Sequence, residues 1–242
     1  MPRNGGRILV EQIAANGVTR AFGVPGESYL AALDAFYDTP GTEFVVCRQE
    51  GGAAMMADAW ARLTGGPGVA FVTRGPGATN ASPAVHIARQ DSVPLVLVVG
   101  QIDSAWRGRE AFQEIDYQAF FGPIAKWAFE VDRVERIPEL VHRAFATALS
   151  GRPGPVVLAL PEDVLSAEAE VVDAPPVTVR EAAPDPAAIA ELQERLAHAQ
   201  RPFLMVGGGG WSAGGYDALR QFAETWHLPV GVGFRRQGLF DN

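Results

Sequence analysis

A pattern of strand, helix, strand and turn between residues 44 and 80 constrains the fold of this chain more than any other feature. Four apolar residues at Phe44–Cys47 predict a buried strand, and small or apolar residues then recur with the period of one helix face until Gly65. A second apolar strand is predicted at Val69–Thr73. Glu50 therefore stands just beyond the carboxyl end of a strand, which is the edge of an open α/β sheet where ligands bind.

Glu50 admits two interpretations. In the simpler one, it is a first-turn glutamate whose charge complements the helix dipole. In the other, the two glycines after Glu50 and the turn formed by Gly75, Pro76 and Gly77 let a flat ligand approach the backbone closely. A carboxyl group held away from water favours its protonated form, which can donate a hydrogen bond to a ring nitrogen.

Strands and helices continue to alternate on both sides of this pattern. Further strands are predicted at Ala21–Val24, Pro94–Gly100 and Val156–Leu160. Helices are predicted at Arg7–Ala15, from Ser28 (as N-cap) through Phe36, and at Ile137–Leu149. Continuously apolar strands joined through helices indicate a parallel sheet that is covered on both faces. Residues 1–165 are thus predicted to form an α/β domain with a doubly wound, six-stranded parallel sheet.

The composition changes after this domain. Prolines and small or charged residues dominate residues 166–186, which predicts a linker. Residues 187–242 are predicted to begin a second, truncated Rossmann-like α/β unit. Its predicted elements are a helix at Ala188–Ala199, a strand at Phe203–Val206, a helix at Tyr216–Trp226 and a strand at Pro229–Val232.

A glycine-rich turn in this second unit supports an alternative function. Gly208, Gly210 and Ala213 satisfy the G-x-G-x-x-[G/A] pattern between a strand and a helix, as in dinucleotide-binding domains. Such a site also needs an acid about 20 residues further on to hold the ribose hydroxyls. The segment Gly233–Arg236 occupies that place and contains no acid, so a plain tight turn is favoured over a dinucleotide site.

The composition argues against several classes of partner. The 242 residues include 20 Lys and Arg against 28 Asp and Glu, a formal charge of −8, which argues against nucleic-acid binding. The sequence contains neither a signal peptide nor an apolar run long enough to span a membrane. The single cysteine, Cys47, lies in a predicted strand, so no disulfide framework is expected. We therefore expect a cytoplasmic protein.

The segments RQEGGAAMMADAWAR and VTRGPGATN together resemble the pyrimidine-binding module of thiamine-diphosphate enzymes in the group of acetolactate synthase, benzaldehyde lyase and 2-oxo acid decarboxylases. The resemblance implies a catalytic role for Glu50. In that family the matching glutamate contacts the aminopyrimidine and promotes the tautomer that deprotonates the thiazolium carbon. The residues of this module that the resemblance assigns to the cofactor are Glu50, Thr73, Gly75, Pro76, Gly77 and Asn80.

Two further segments are similar to parts of the same family. GVPGES resembles the first cofactor loop, and the contacts that it adds are Pro25, Gly26 and Glu27. FQE followed by PIAKW resembles the acetolactate synthase pattern. This implies that Phe112 and Gln113 face the cofactor and the substrate, with a catalytic role for Gln113. Lys126 is a candidate at the substrate entrance, and no metal ligand is expected among these residues.

The resemblance implies a thiamine-diphosphate-dependent carboligase or decarboxylase, a lyase or transferase, acting on a small 2-oxo acid. The family holds the diphosphate and Mg²⁺ through a third module, whose Gly-Asp-Gly motif does not occur in this sequence. We therefore expect an N-terminal part of an enzyme that is inactive alone. Family members form dimers through the pyrimidine domain, or tetramers, and some carry FAD in the middle domain. The alternatives are a FAD- or NAD-binding oxidoreductase domain and a non-catalytic dimerisation module.

Overall fold

A computed structural model describes residues 1–180 and 182–240. The chain forms two compact units, Met1–Val179 and Arg180–Asn242. The strands of the first unit are β1 (Arg3–Asn4), β2 (Arg20–Gly23), β3 (Glu43–Val46), β4 (Gly68–Val72), β5 (Leu95–Gln101), β6 (Trp127–Glu130), β7 (Pro155–Pro161) and β8 (Glu168–Ala169). Its helices are α1 (Gly5–Ala15), α2 (Leu30–Asp38), α3 (Glu50–Thr64), α4 (Pro76–Asp91), α5 (Tyr117–Phe121), α6 (Ile137–Leu149) and α7 (Glu162–Ser166).

Six parallel strands form the central sheet of the first unit, in the order β3, β2, β4, β5, β7, β6. The predicted fold class is confirmed. Each of the five strands located from the sequence lies within one residue of its predicted ends. The sixth strand, β6, was not located, because it is a half-buried edge strand that ends in Glu130 and lacks a long apolar run.

Two apolar layers enclose this sheet. Phe71, Val98 and Leu158 face a core formed with α1, α2 and α6. Residues of the opposite parity, such as Leu97 and Val157, face a second core formed with α3, α4 and α5. Because successive side chains of a strand point to opposite faces, burial on both faces requires the uninterrupted apolar runs seen in the sequence.

The order of the strands creates a switch point between β2 and β4. From β2 the chain crosses through α2 to β3 on one side, and from β3 it crosses through α3 to β4 on the other side of β2. The helix after β2 packs on the first face and the helix after β4 packs on the second. The loops that leave these two strands therefore diverge, which opens a crevice at the carboxyl edge of the sheet.

The predicted linker contains a segment that packs on the first unit. Strand β8 pairs with β1 in antiparallel register. The side-chain amide of Gln12 donates to the Ala174 carbonyl at 2.8 Å and accepts from its N–H at 3.0 Å. Asn16 Oδ1 accepts a hydrogen bond from the Val177 N–H at 2.9 Å. Residues up to Val179 thus belong to the first compact unit, because Gln12 of α1 and its C-cap Asn16 bond to the backbone groups of this segment.

The second unit contains the four elements predicted for it, with ends shifted by up to three residues. They are α8 (Pro186–His198), β9 (Leu204–Val206), α9 (Ala213–Thr225) and β10 (Val230–Val232). Strands β9 and β10 are parallel, and a small core contains Val206, Leu219 and Leu239. Within the described part of the chain, no helix combines the length and the apolar character needed to cross a membrane.

Candidate functional site

A hydrogen bond between two hydroxyl groups joins the loops on either side of the crevice. Ser28 Oγ lies 2.6 Å from Thr73 Oγ1, and Ser28 is completely buried. A Cβ atom added to Gly26 would lie 2.6 Å from the Cβ of Thr73. The prediction that Ser28 is the N-cap of α2 was wrong, because Tyr29 occupies that position and the Ser28 hydroxyl bonds to Thr73.

Glu50 is the first residue of α3 and is half-buried. Gln49 caps this helix, with its Oε1 accepting from the Gly52 N–H at 2.7 Å. Glu50 Oε2 accepts a hydrogen bond from Asn80 Nδ2 at 3.0 Å. The acid thus occupies the positive end of the helix dipole, as the simpler interpretation requires, and it is also held by a side chain of α4.

Bare backbone lies beside this carboxylate. A Cβ added to Gly77 would lie 3.6 Å from Glu50 Oε1 and 3.1 Å from Thr73 Cγ2. The structure therefore brings together Glu50, Thr73, Gly77 and Asn80, all predicted from the sequence, against the loop that contains Gly26. Gly77 is buried, so its missing side chain lets Thr73 and the Glu50 carboxylate pack directly against the first turn of α4.

The charge of Glu50 also acts on Tyr29. The Tyr29 hydroxyl donates a hydrogen bond to the Val24 carbonyl, in the loop that follows β2. Burial of the phenol, with the negative charge of Glu50 as a second cause, raises the pKa of Tyr29 above its ordinary value of 10.0. Glu50 is therefore close enough to this loop to influence a buried titratable group.

The segment around Phe112 and Gln113 lies against the turn after β4. A Cβ added to Gly75 would lie 2.6 Å from the Cβ of Gln113, and the Gly75 N–H donates to the Tyr117 hydroxyl at 2.8 Å. The Phe112 side chain is 76% exposed. These contacts bring the predicted substrate-side residues to the same edge as Glu50.

An ion-pair cluster around the buried guanidinium of Arg74 was not predicted from the sequence. Arg74, between Thr73 and Gly75, pairs with Glu27 at 2.8 Å and with Glu162. Glu27, predicted as a cofactor contact, thus has one carboxylate oxygen bound to a cation of the protein. The sequence feature that could have indicated this cluster is Arg74, a single charged residue inside an otherwise apolar and glycine-rich segment.

The predicted place of Lys126 at the substrate entrance was wrong. Lys126 precedes β6 and so lies at the amino edge of the parallel sheet, opposite the edge that holds Glu50. Its ammonium group donates to the carbonyls of Thr147 and Ser150, at the end of α6. Burial and the nearby charge of Arg89 lower the pKa of Lys126. Lys126 therefore stabilises a helix C-terminus.

The glycine-rich turn of the second unit connects β9 to α9, as the sequence predicted. Gly208 and Gly210 have positive φ angles of 76° and 79°. Ser212 caps the helix, its hydroxyl accepting from the Gly215 N–H at 3.1 Å. The Trp211 indole donates to the carbonyl of Gly207 at 3.0 Å. These local bonds account for the conformation of the turn without a ligand.

Comparison with known proteins identifies the family. Residues 3–120 match the family described as thiamine pyrophosphate enzyme, N-terminal TPP binding domain, and residues 189–242 match the central domain of thiamine pyrophosphate enzymes. The chain belongs to the thiamine-diphosphate-dependent enzyme family. The resemblance stated from the sequence is thereby confirmed, and the N-terminal match contains the residues gathered around Glu50.

Three relatives in this family are acetolactate synthase large subunits. The chain is 38% identical over 227 residues to the isozyme 2 large subunit of Escherichia coli (strain K12), which covers 94% of this chain and 41% of the relative. It is 37% identical over 243 residues to the isozyme 3 large subunit of the same organism, covering 98% and 42%. The large subunit of Parasynechococcus marenigrum (strain WH8102) is 38% identical over 247 residues, covering 98% and 40%. The chain spans about two fifths of the length of these relatives.

Proposed function

We propose that this chain forms the pyrimidine-binding side of an acetolactate-synthase-like, thiamine-diphosphate-dependent lyase or transferase that acts on a small 2-oxo acid. The observation that carries the proposal is the Glu50 carboxylate, held by Asn80 beside the bare backbone of Gly77. The switch point of the sheet is also where this fold class binds ligands.

Glu50 is the proposed proton-transferring residue. Asn80 occupies its Oε2, which fixes the orientation of the carboxylate. Its Oε1 faces the backbone at Gly77 and accepts no hydrogen bond from the described residues. Oε1 is therefore the atom that we propose to exchange a proton with a ring nitrogen of the cofactor.

We propose that a flat aminopyrimidine ring binds beside Glu50, at the crevice between the loops after β2 and β4. The absence of side chains at Gly26 and Gly77 lets Thr73 and Glu50 approach the backbone closely, and the bond between Ser28 and Thr73 holds the two loops together. When bound, thiamine diphosphate supplies the electron sink that allows a 2-oxo acid to lose its carboxylate. The chain's own contribution is to bind and orient the ring and to hold a proton at Glu50.

Phe112 and Gln113 form the proposed substrate side. The Gln113 side chain carries both a donor and an acceptor, which suits the carboxylate and carbonyl oxygens of a 2-oxo acid. Phe112 offers an exposed apolar ring next to it. Their turn lies directly on Gly75, two residues before Gly77, and this supports a place for the substrate beside the proposed ring site.

Further parts of the proposal come from the family resemblance. We propose that a third module binds the diphosphate with Mg²⁺, that the protein is a homodimer or a tetramer, and that it carries out carboligation or decarboxylation in the cytoplasm. The described residues contain no cluster of three or more His, Cys, Asp or Glu that could hold a metal ion. Light scattering measures the oligomeric state directly.

Replacement of Glu50 by Gln tests the central assignment. Gln keeps an oxygen for Asn80 but cannot exchange a carboxyl proton. In the enzyme that includes the proposed third module, with thiamine diphosphate and Mg²⁺ present, carbon dioxide release from 2-oxo acids is expected to fall by about 10²- to 10⁴-fold. Unchanged turnover in the Glu50→Gln protein would reject the proposal.

The matched control is a glutamate at the amino end of β3, the strand whose carboxyl end precedes Glu50. Glu43, at the start of β3, is exposed, and its carboxylate lies 3.1 Å from Arg20 at the amino edge of the sheet. Glu43→Gln removes the same charge from the opposite end of the strand that precedes Glu50. This variant is expected to retain turnover.

A nucleotide site in the second unit is the alternative, and the positive φ angles of Gly208 and Gly210 are the observation in its favour. FAD would give a visible flavin spectrum, and NAD would change the intrinsic fluorescence on titration. Calorimetry with thiamine diphosphate, with and without Mg²⁺, separates the proposed cofactor-binding function from a non-catalytic dimerisation module.

A further inference from the structure

The buried guanidinium of Arg74 connects three loops at the carboxyl edge of the first unit. Its side chain is 11% exposed. Nε donates to the Phe112 carbonyl at 3.3 Å, one terminal nitrogen donates to Glu27 at 2.8 Å, and the other donates to Glu162. Arg74 was not among the residues that the sequence assigned to the cofactor or the substrate.

The three acceptors belong to segments that are distant in sequence. Glu27 lies in the loop after β2, Glu162 begins α7 after β7, and Phe112 lies in the segment after β5. A guanidinium presents five N–H donors in a fixed fork, so it can serve three acceptors at once. Arg74 is thus placed to set the separation of these segments.

The contact to Phe112 matters most, because the adjoining backbone has an unfavourable conformation. Gln113 has a φ of 68°, which is uncommon for a residue with a side chain. Such a conformation persists where surrounding contacts hold it. The contacts of this turn with the rest of the unit include the Arg74 guanidinium and Gly75.

We propose that Arg74 is a positioning residue that holds the Phe112–Gln113 turn against Gly75 and thereby fixes the substrate-facing side of the site. The substrate-facing role rests on the proposed function, whereas the attachment of the turn does not. Loss of the guanidinium removes the hydrogen bond to the Phe112 carbonyl. It also removes the two ion pairs that connect the loop of Glu27 and the start of α7 at Glu162 to the turn after β4.

Hydrogen exchange in the full chain tests the attachment. In Arg74→Gln, the amides of residues 108–114 and of Gly75 are expected to exchange about tenfold faster or more, because the turn separates from Gly75. Arg136→Gln is the matched control. Arg136 also bridges two carboxylates, Asp132 at 2.8 Å and Glu139 at 3.3 Å, and none of its bonds reaches this turn. Wild-type exchange at these amides in Arg74→Gln would overturn the proposal.

Arg74→Lys distinguishes the hydrogen bond to the Phe112 carbonyl, which we call the tether, from the positive charge. It also provides the test if Arg74→Gln fails to fold. A lysine retains one positive charge for Glu27 and Glu162 but lacks the fork that reaches Phe112 as well. It is expected to show the fast exchange of the turn with a smaller loss of thermal stability. Wild-type protection of the turn in Arg74→Lys would overturn the tether.

Activity gives an independent readout, with pyruvate as the probe. In the enzyme that includes the proposed third module, at saturating thiamine diphosphate and Mg²⁺, kcat/KM of Arg74→Gln is expected to fall by about 10- to 100-fold, mainly through KM, with partial recovery in Arg74→Lys. Wild-type kcat/KM in Arg74→Gln, together with fast exchange of the turn, would overturn the substrate-facing role. If the wild-type enzyme that includes the proposed third module releases no carbon dioxide from any 2-oxo acid, the proposed function fails, and the exchange result still decides whether Arg74 holds the turn.

Discussion

Two glycine-rich turns in this chain each join a parallel strand to a helix, but their surroundings differ. In the turn after β4, a Cβ added to Gly75 would lie 2.6 Å from the Cβ of Gln113. In the turn after β9, a Cβ added to Gly208 or Gly210 would meet nothing within 4 Å. All three glycines have positive φ. In the turn after β4, glycine is therefore required both by its close neighbours and by its positive φ. In the turn after β9, only the positive φ requires it.

The helices after these turns show the same contrast. Gly77 and Gly214 each occupy the second position of a helix, α4 and α9 respectively. A Cβ at Gly77 would face Thr73 and Glu50, whereas one at Gly214 would point into open space. The turn after β4 is thus packed against distant segments of the chain, whereas the added Cβ atoms in the turn after β9 would meet no atom of the described residues within 4 Å.

Substitution of Gly75 by Ala is expected to have the largest effect. Its φ of 62° and ψ of −117° suit glycine, and a Cβ would overlap Gln113. Backbone strain of about 1–3 kcal/mol and overpacking of about 1–3 kcal/mol together lower the free energy of unfolding by about 4 kcal/mol. Urea denaturation, with hydrogen exchange to assign the loss to the first unit, measures this change.

Gly210→Ala is the matched variant in the second unit. Only its φ of 79° opposes a side chain, so the expected loss is about 1 kcal/mol. Equal losses in the two variants would show that the contacts around Gly75 do not contribute.

Thr73→Val tests the hydrogen bond between Ser28 and Thr73, which joins the loops on either side of the crevice. The substitution keeps the shape of the side chain and leaves the buried Ser28 hydroxyl without its partner. We expect the free energy of unfolding to fall by about 2 kcal/mol. Thr225→Val in α9 removes an exposed bond to the Gln221 carbonyl and is expected to change stability by less than about 0.5 kcal/mol. A loss in Thr73→Val no larger than that in Thr225→Val would contradict the role of the bond.

The fold could be predicted because its signals are local. Continuous apolar runs marked the central strands, and glycines and prolines marked the ends of helices such as α3. Strand β6 was missed because an edge strand does not need an apolar run. The packing of residues up to Val179 was missed because Gln12 and Asn16, more than 160 residues earlier in the chain, satisfy that backbone.

The site could be predicted only where one motif carries it. Glu50 and Asn80 lie in the same recognisable stretch, and the structure places them in contact. The role of Arg74 depends on which loops adjoin at the sheet edge, and this follows from strand order rather than from sequence spacing. Lys126 follows Gln113 closely in sequence, but α5 carries the chain away to the opposite edge of the sheet before β6 begins.

Gly77→Ala, compared with Gly214→Ala, tests whether the difference between the two turns extends to binding of thiamine diphosphate. A methyl group at this buried position would press against Thr73 and Glu50, two of the residues proposed to contact the pyrimidine ring. We expect affinity for thiamine diphosphate, measured by calorimetry with Mg²⁺, to fall about tenfold, or about 1.4 kcal/mol. Gly214→Ala is expected to leave affinity unchanged and to raise helix stability by about 0.5–1 kcal/mol. Equal affinity in the two variants would place the ring elsewhere.

The smallest expected effect is a loss of folding stability at alkaline pH, which originates at the buried phenol of Tyr29. Burial, and then the charge of Glu50, raise the pKa of Tyr29 above 10.0. Above about pH 10 the unfolded chain releases this proton while the folded chain keeps it, so stability falls as the pH rises. At about pH 10.5 the loss from this one group is about 0.8 kcal/mol.

Tyr29→Phe removes that dependence together with the hydrogen bond to the Val24 carbonyl. The variant is therefore expected to be less stable at neutral pH, yet to lose less of its remaining stability between about pH 9 and pH 10.5. Tyr37→Phe, at a ring that is 93% exposed, is expected to keep the wild-type slope. An identical slope in Tyr29→Phe would mean that the phenol is not shielded from water, and Glu50 would then lie in a wetter crevice than the contacts around Gly77 indicate.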